Sequence, residues 1–442
     1  MKTKHGHTSP RDTGSLDAGR RKILTVSLQA SALSVLAWAG FMPAAHAQTG
    51  RKIKIGYVTP LTGPLAGFGE VDRFVLDQLK EAFAKGVTVG GTQHAVEIMV
   101  KDSQSNPNRA SEVAAELILR DEIDLMVVGS TPENSNPVSD QCELNEIPCI
   151  SSTTPWQPWF FTRGGDPKTG FDWTYHYFWG LEDVIATFTN MWKSIPTNKV
   201  VGVLFANDAD GNAWGDPEHG LTPALKKMGY TVVDPGRYQS GQSNFSSLIA
   251  EYKKAGVEII AGVPTPPDFQ NFWTQSSQQG FKPKIVTVGK ALAFPSSAEA
   301  LGPIAEGVTQ ECWWSPNRPY KSSLTGQTAQ QLADDYERVT GKQWTQPLGY
   351  AHSLFEVALD VLRRSQDIDD KASIRDAIPT TKLDTVIGHV AWGDGPVKNV
   401  AKTALVGGQW IKGTRHPFDL VVVNNDTAPD IPVQAEMIAI PR

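Results

Sequence analysis

The chain has 442 residues, of which 40% are hydrophobic and 20% are charged, with 41 basic and 47 acidic side chains. This composition excludes an intrinsically disordered chain, which has few large apolar residues. The net charge of −6 argues against a nucleic-acid-binding protein, which would present a basic face. At roughly 100–200 residues per domain, the length predicts two or three packed units.

The first 47 residues have the pattern of an export signal. Arg20 and Arg21 precede an apolar stretch that runs to about residue 41, and Ala45-His46-Ala47 then supplies the small-x-small pattern at which signal peptidase cuts. The arginine pair behind a polar leader resembles a twin-arginine signal, and an ordinary secretory signal is the alternative. We expect cleavage after Ala47 and a mature protein free in the periplasm, because no second long apolar run follows.

Strand and helix patterns alternate along the rest of the chain. Apolar β-rich runs occur at residues 53–59, 95–100, 124–128 and 147–150, and helical patterns at 69–85, 107–120 and 135–145. After an aromatic-rich passage the helices are at 175–194, 217–228, 245–255 and 268–279, and the strands at 199–205, 231–233, 258–261 and 284–288. A strand at 308–313, helices at 327–340, 349–364 and 371–377, and short β segments after 384 follow. The alternation predicts an α/β protein with two lobes built on parallel sheets.

The three cysteines favour one disulfide. Cys142 lies near the end of a predicted helix and Cys149 in the strand that follows, so the return of the chain can bring both within bridging distance. An exported protein meets an oxidising compartment. We therefore predict a Cys142–Cys149 bridge and a buried, lone Cys312. No CxxC pair is present, which argues against a metal site formed by cysteines.

The motifs of common enzyme classes are missing from the sequence. It contains no GxSxG nucleophile elbow, no P-loop, no HExxH zinc motif and no EF-hand loop. Paired acids such as Glu182-Asp183 lie on predicted helices, where solvated surface is the simpler interpretation. The sequence predicts a protein that is not an enzyme and needs neither a metal nor another cofactor.

Polar loops follow three strands of the first lobe. They are the glycine-rich segment 60–69, which contains Phe68, the segment 129–135, and the segment 151–156, which contains Ser152, Thr153, Thr154 and Trp156. Open α/β sheets bind ligands at the carboxyl ends of their strands. Hydroxyls and backbone amides there can hold a carboxylate, although helix capping uses the same residue types.

Several segments, in the right order, resemble the leucine/isoleucine/valine-binding proteins of ABC transporters. They are Lys54-Ile55-Gly56 through Pro64, Asp102 within VKDSQSNPNRASEVAAELI, IPCISSTTP after VVGSTPENSNPVSD, and DTVIGHVAWGDG near the end. The resemblance covers residues 51–410. It implies a type I periplasmic binding protein fold, with two α/β lobes joined by three crossings. Residues 51–168 and 307–400 would form the first lobe, and 169–306 and 401–442 the second.

The resemblance also implies where the ligand lies. Phe68 stands where the family usually has an aromatic, and Ser152, Thr153 and Thr154 match the donors that clamp the carboxylate of the ligand. A further polar contact is expected from Glu133, Asn134 or Ser135, of which Asn134 is preferred. In the second lobe, Trp214 matches a tyrosine whose ring covers the ligand.

Two positions depart from the family. The segment 263–267, which contains Thr265, stands in place of a usual tyrosine, and Lys290 aligns with the acid that faces the ammonium group of an amino-acid ligand. Two like charges about 4 Å apart repel by about 4 kcal/mol at an effective dielectric constant of 20. If Lys290 faces the ligand, we expect a ligand that is not an ordinary α-amino acid and that carries a second anionic or polar group at that end. In the alternative, Lys290 points to solvent or pairs with Glu299. Trp156, with Phe68 and Trp214, could sandwich an aromatic body.

The resemblance predicts the periplasmic substrate-binding component of an ABC-type importer. It would capture a small carboxylate-containing solute, amino acid-like, aromatic or dicarboxylic, by hinge closure, and it would be a monomer that meets the permease subunits in the membrane. A ligand-sensing receptor that reports to a signalling partner is the alternative, and a periplasmic hydrolase is disfavoured by the missing catalytic motifs.

Overall fold

The computed structural model describes residues 49–441. The predicted signal segment 1–47, with its cleavage position after Ala47, lies outside this range. Among the described residues, none of the helices combines the length and the apolar character that crossing a membrane requires.

Strands and helices alternate through most of the described chain. The strands are β1 (Ile53–Thr59), β2 (Val87–Val89), β3 (Thr92–His94), β4 (Val96–Asp102), β5 (Leu125–Val128), β6 (Cys149–Ser152), β7 (Thr174–Tyr177), β8 (Val200–Ala206), β9 (Thr231–Val233), β10 (Arg237–Tyr238), β11 (Ile259–Gly262), β12 (Ile285–Val288), β13 (Thr309–Cys312), β14 (Lys382–Thr385), β15 (Gly388–Ala391), β16 (Val400–Ala401), β17 (Val406–Lys412) and β18 (Phe418–Asn424). The α-helices are α1 (Asp72–Gln78), α2 (Lys80–Lys85), α3 (Pro107–Leu119), α4 (Pro132–Leu144), α5 (Trp156–Phe161), α6 (Leu181–Trp192), α7 (Ala209–Trp214), α8 (Leu221–Lys227), α9 (Ser246–Ala255), α10 (Pro266–Gln278), α11 (Pro295–Leu301), α12 (Ala329–Thr340), α13 (Pro347–Arg364) and α14 (Lys371–Ala377).

Two large sheets form the two lobes. The first has the order β16-β7-β6-β5-β1-β4, and all of its strands are parallel. The second follows the path β10-β8-β11-β12-β13-β17-β18, with β9 also paired to β8, and it becomes antiparallel only at β17 and β18. The central strands β5, β6, β11 and β12 are buried on both faces, as expected for parallel sheets covered by helices. The predicted α/β class is confirmed.

The chain passes between the sheets three times, as the resemblance implies. It leaves the first sheet after β7, returns after β13 and leaves again after β16. Two predicted lobe boundaries are therefore displaced, since β7 lies in the first sheet and β13 in the second. The helix predicted at 175–194 is in fact β7 followed by α6, because the aromatic residues 174–177 pair with β6 as a fully buried strand.

Local sequence signals account for several elements. Asn106 caps α3 by accepting hydrogen bonds from the backbone of Asn108 and Arg109, with Pro107 at the first helical position. Helix α13 is buried along nearly its whole length and packs on β5 and β6, so it forms part of the core of the first lobe.

The predicted disulfide is not formed. Cys142, Cys149 and Cys312 are free and completely buried. Cys142 lies on α4 and Cys149 begins β6, and the two thiols are close enough to interact, but both pack inside the apolar cluster of the first lobe. They act there as small apolar side chains, the usual role of buried free cysteine.

Candidate functional site

A small cavity of about 30 Å³ lies between the two lobes. Its walls come from loops at the carboxyl ends of parallel strands in both sheets, the place where α/β proteins bind ligands. The first lobe contributes Phe68, Thr131, Thr153 and Pro155. The second lobe contributes Asp210, Trp214, Val263, Lys290, Ala293 and Glu311. The crossing segments contribute Phe178, Trp179 and Trp313.

Of the three predicted hydroxyl donors, only Thr153 reaches the cavity. The Ser152 hydroxyl donates to the Tyr177 carbonyl (2.6 Å), and the Thr154 hydroxyl donates to the Ser130 carbonyl (2.7 Å). Both side chains are completely buried, so they fasten neighbouring strands and loops together. Thr153 lines the cavity with a left-handed backbone, φ 63°, and its hydroxyl donates to the Ser152 carbonyl (2.7 Å).

The preferred polar contact from the next loop also has a structural role. The Asn134 amide donates to the Gly129 carbonyl (2.7 Å) and does not line the cavity. The cavity residue of this loop is Thr131, whose hydroxyl is buried. Glu133, another of the alternatives, instead accepts a hydrogen bond from the Ala209 backbone of the second lobe (3.3 Å).

Phe68 and Trp214 line the cavity from opposite lobes, as predicted. Phe68 makes an edge-to-face contact with Phe294 of the second lobe, with ring centroids 5.0 Å apart. Trp214 ends α7 and is buried against Phe188, with centroids 5.7 Å apart. The two lobes are therefore in contact around the cavity.

Trp156 and Thr265 lie outside the cavity. The Trp156 indole donates to Glu182 (3.1 Å) and lines a groove beside the cavity. Thr265 precedes α10, and the cavity residue of this segment is Val263. The side chain after Pro155 thus turns away from the cavity, although Pro155 itself lines it.

Lys290 lies at the cavity wall but is already paired. Its ammonium group lies 2.9 Å from Asp210 and 3.5 Å from Asp208, and its backbone N–H donates to Glu311 (2.8 Å). Burial lowers the pKa of Lys290, but the carboxylates of Asp210, Asp208 and Glu133 raise it by more, so the lysine stays charged. Two acids neutralise this cation, and the argument for an anionic ligand group at Lys290 does not hold.

Glu311 is the titratable cavity residue that sequence reasoning missed. It lies on β13 with 2% of its surface exposed, and burial raises its pKa to about 8. An acid inside the buried strand 308–313 is an unusual feature that could have signalled a site residue. Phe178 and Trp179, from the aromatic-rich passage before α6, also line the cavity.

Five buried polar atoms around the cavity have no hydrogen-bond partner within the described part of the chain. They are Thr131 Oγ1, Trp179 Nε1, Trp214 Nε1, Asp210 Oδ1 and Glu311 Oε2. Each buried polar group left unpaired costs about 1–3 kcal/mol. The set combines donors and acceptors between aromatic walls, which suits a polar ligand. The cavity of about 30 Å³ is smaller than the roughly 150 Å³ in which benzene binds, so an organic ligand requires the lobes to lie further apart. No group of metal-ligating side chains occurs among residues 49–441.

Comparison with known proteins identifies the family. The model of the periplasmic binding protein family matches residues 52–414. The chain belongs to this family.

Relatives and solved structures agree with that assignment. The Leu/Ile/Val-binding protein homolog 4 of Brucella abortus is 23% identical over 374 residues, which are 83% of this chain and 85% of that protein. A leucine-binding protein from Thermotoga maritima superposes with a TM-score of 0.68 at 19% identity, covering 85% of this chain and 99% of its own. A solute-binding protein of an ABC transporter from Rhodopseudomonas palustris, in complex with 3,4-dihydroxybenzoic acid, gives a TM-score of 0.68 at 15% identity. The match covers 88% of this chain and 99% of that one. The predicted resemblance and type I fold are confirmed.

Proposed function

We propose that this protein is the periplasmic substrate-binding component of an ABC-type importer. It captures a small carboxylate-containing solute between its lobes and delivers it to permease subunits in the membrane. The observation that carries this proposal is the cavity lined by both lobes, with its five buried polar atoms that lack partners. A ligand that satisfies atoms of both lobes at once selects the closed arrangement, which is how hinge closure couples to binding.

The donors and acceptors around the cavity favour one orientation of the ligand. The indole N–H groups of Trp179 and Trp214 and the Thr131 hydroxyl can donate to a carboxylate. Asp210 and Glu311, at the second-lobe wall, offer oxygens to a hydroxyl or ammonium group. A second carboxylate would meet Asp210, which together with Asp208 sets two negative charges against the one positive charge of Lys290. The proposed ligand is therefore an aromatic or amino acid-like carboxylate with donor groups, and dicarboxylic acids are disfavoured.

Two further observations support an aromatic body. Five aromatic side chains line the cavity, namely Phe68, Phe178, Trp179, Trp214 and Trp313. The structural neighbour from Rhodopseudomonas palustris binds 3,4-dihydroxybenzoic acid, which carries a carboxylate and two hydroxyl donors on one ring. We also propose that the protein binds its ligand without converting it, that it is exported with cleavage after Ala47, and that it is a monomer.

A thermal-shift screen of residues 48–442, stripped of ligand by partial unfolding and dialysis, tests this function. The panel contains leucine, phenylalanine, benzoate, 3,4-dihydroxybenzoate and terephthalate. A ligand at 100 times its dissociation constant stabilises a protein by about 2.7 kcal/mol, which moves the melting temperature visibly. We expect the hydroxylated aromatic acid to shift it and the dicarboxylate terephthalate not to do so. A screen in which no carboxylate shifts the melting temperature would contradict the proposal.

A further inference from the structure

Two buried carboxyl groups of the second lobe line the cavity. Glu311 on β13 and Asp210 on α7 are 2% and 3% exposed. Each has one oxygen, Glu311 Oε2 and Asp210 Oδ1, that has no hydrogen-bond partner within residues 49–441. Because both residues belong to the second lobe, they stay together when the two lobes lie further apart.

The other oxygen of each carboxyl group is already occupied, and the two partners differ in charge. Asp210 Oδ2 lies 2.9 Å from the ammonium group of Lys290. Glu311 Oε1 accepts the backbone N–H of Lys290 at 2.8 Å. Asp210 thus faces a full positive charge directly, whereas Glu311 is bonded to a neutral amide.

The two carboxyl groups lose their protons in a definite order. Burial raises the pKa of Glu311 to about 8, and the charge of Asp210 adds to this rise, while the N–H and the ammonium group of Lys290 oppose it. Burial raises the pKa of Asp210 to about 7, against the ammonium group of Lys290. The nearby carboxylates of Asp208 and Glu133 add to the rise for Asp210. Between these two values Asp210 is ionised and Glu311 is a neutral acid.

The geometry determines which oxygen of neutral Glu311 carries the proton. Oε1 accepts the Lys290 N–H, as the carbonyl oxygen of an acid does, so the proton lies on the unpaired Oε2. The space beside Oε2 is open because residue 289 is glycine, where a Cβ atom would lie only 3.2 Å from Oε2. At the cavity wall Glu311 therefore presents a donor and Asp210 an acceptor.

We infer that Glu311 binds the ligand as a neutral acid and donates a hydrogen bond from Oε2 to a hydroxyl group, which itself donates to Asp210 Oδ1. This inference rests on the proposed function and narrows its substrate class to carboxylates that carry a hydroxyl group. A hydroxyl both donates and accepts, whereas an ammonium group only donates. An ammonium group would meet the proton of Glu311, so it binds well only after Glu311 has released that proton.

Two matched pairs of carboxylates test the inference by titration calorimetry between about pH 6.5 and 8.5. They are 4-(hydroxymethyl)benzoate with 4-(aminomethyl)benzoate, and 3-phenyllactate with phenylalanine. The members of each pair differ only in having a hydroxyl or an ammonium group. The quantity to follow is the ratio of the two dissociation constants within a pair, because the titration of Asp210 affects both members alike and cancels.

The ratio should change with pH in the unaltered protein. The hydroxyl ligand requires protonated Glu311 and the ammonium ligand requires ionised Glu311, so linkage makes the preference for the hydroxyl ligand fall by about tenfold for each pH unit. We expect at least one pair in which the hydroxyl ligand binds about tenfold or more tightly at about pH 6.5, with this preference about a hundredfold lower at about pH 8.5.

One variant and its matched control assign the effect to Glu311. Glu311→Gln keeps the shape of the side chain and offers an N–H donor, but it cannot ionise, so the ratio in this variant should not vary with pH. Glu251→Gln makes the same exchange at an exposed position of α9. This control should keep the tenfold change for each pH unit.

Each other outcome overturns the inference. A ratio that is constant with pH in the unaltered protein, or tighter binding of the ammonium ligand at about pH 6.5 in both pairs, would leave the proposed function intact and remove hydroxyl recognition by Glu311. A ratio that varies with pH in Glu311→Gln as it does in the unaltered protein would assign the proton to another group. Binding of neither pair would also overturn the inference, and the proposed function falls with it only if the thermal-shift screen finds no carboxylate either.

Discussion

Glu311 and Lys290 contact each other at the second-lobe wall, where neither side chain reaches bulk water. They are 2% and 7% exposed, and the carboxyl of Glu311 accepts the Lys290 backbone N–H. Burial raises the pKa of Glu311 to about 8, against the smaller opposing effects of the Lys290 backbone N–H and of the Lys290 ammonium charge, which Asp210 and Asp208 already balance.

The raised pKa of Glu311 predicts a pH dependence of stability. Glu311 binds its proton more tightly in the folded protein than in the unfolded chain, where the ordinary pKa is 4.5, so its ionisation opposes folding as pH rises from about 5 to 8. Glu311→Gln keeps the shape but cannot ionise. The quantity to follow is the free energy of unfolding of this variant minus that of the unaltered protein. We expect this difference to grow as pH rises from about 5 to 8, by about 1.4 kcal/mol for each unit by which the pKa is shifted.

Urea unfolding at several pH values between 5 and 8 measures this difference. Subtraction of the unaltered protein cancels the other groups that titrate in the same range. Glu251→Gln, at an exposed position of α9, makes the same exchange of carboxyl for amide away from the cavity and is the control. A flat difference for Glu311→Gln would show that Glu311 is ionised in the folded protein at pH 7.

Helix α7 lines the cavity with Asp210 and Trp214. It has six residues, and Asp208 begins it by accepting a hydrogen bond from the Gly211 backbone (2.7 Å). Gly211 packs directly on β8, where a Cβ atom would lie 2.0 Å from the Ala206 carbonyl oxygen. The close approach of α7 to the sheet sets the positions of both Asp210 and Trp214.

Gly211→Ala should therefore displace α7 from the sheet. Because the neighbouring atom is backbone and cannot rotate away, the helix must move, and we expect at least a tenfold loss of ligand affinity together with a lower melting temperature. Gly393→Ala is the control, since nothing lies within 4 Å of the added methyl group there. Calorimetric titration of both variants with the best ligand of the screen measures the effect, and equal affinities would contradict it.

Side chains of the two lobes contact each other beside the cavity and also away from it. On the first lobe, Glu337 of α12 is 8% exposed and meets Arg415 (2.6 Å) and His416 (3.1 Å) from the turn between β17 and β18. The Phe68–Phe294 ring contact adds an apolar contact between the lobes near the cavity. These contacts are distant in sequence and exist only when the lobes meet.

Glu337→Gln should shift the ligand-free protein towards an open arrangement. The change removes the negative charge that faces Arg415 and His416. A partly exposed ion pair contributes about 0.2–1 kcal/mol, so its loss should lower the ratio of closed to open protein by up to about fivefold. Small-angle scattering should show a larger radius of gyration for the ligand-free variant than for the ligand-free unaltered protein. With saturating ligand, the two proteins should have the same radius.

A similar pair within the first lobe supplies the control for Glu337→Gln. Asp384 lies 2.7 Å from His389 across the β14–β15 hairpin, so Asp384→Asn removes a carboxylate–histidine contact that does not join the lobes. This variant should scatter as the unaltered protein does. Identical radii for the two variants would exclude a role of Glu337 in closure.

Local patterns in the sequence determined the class of fold, most strand and helix positions and the family, because apolar periodicity, capping residues and ordered motifs act over short stretches of chain. They also singled out Phe68, Thr153, Trp214 and Lys290, which line the cavity between the lobes. Only the tertiary structure decided what each polar group does there. Ser152 and Thr154 bond to backbone carbonyls of other strands and loops, and Lys290 is neutralised by acids about 80 residues earlier in the chain. Such partners are set by how the sheets pack, which no short stretch of sequence contains.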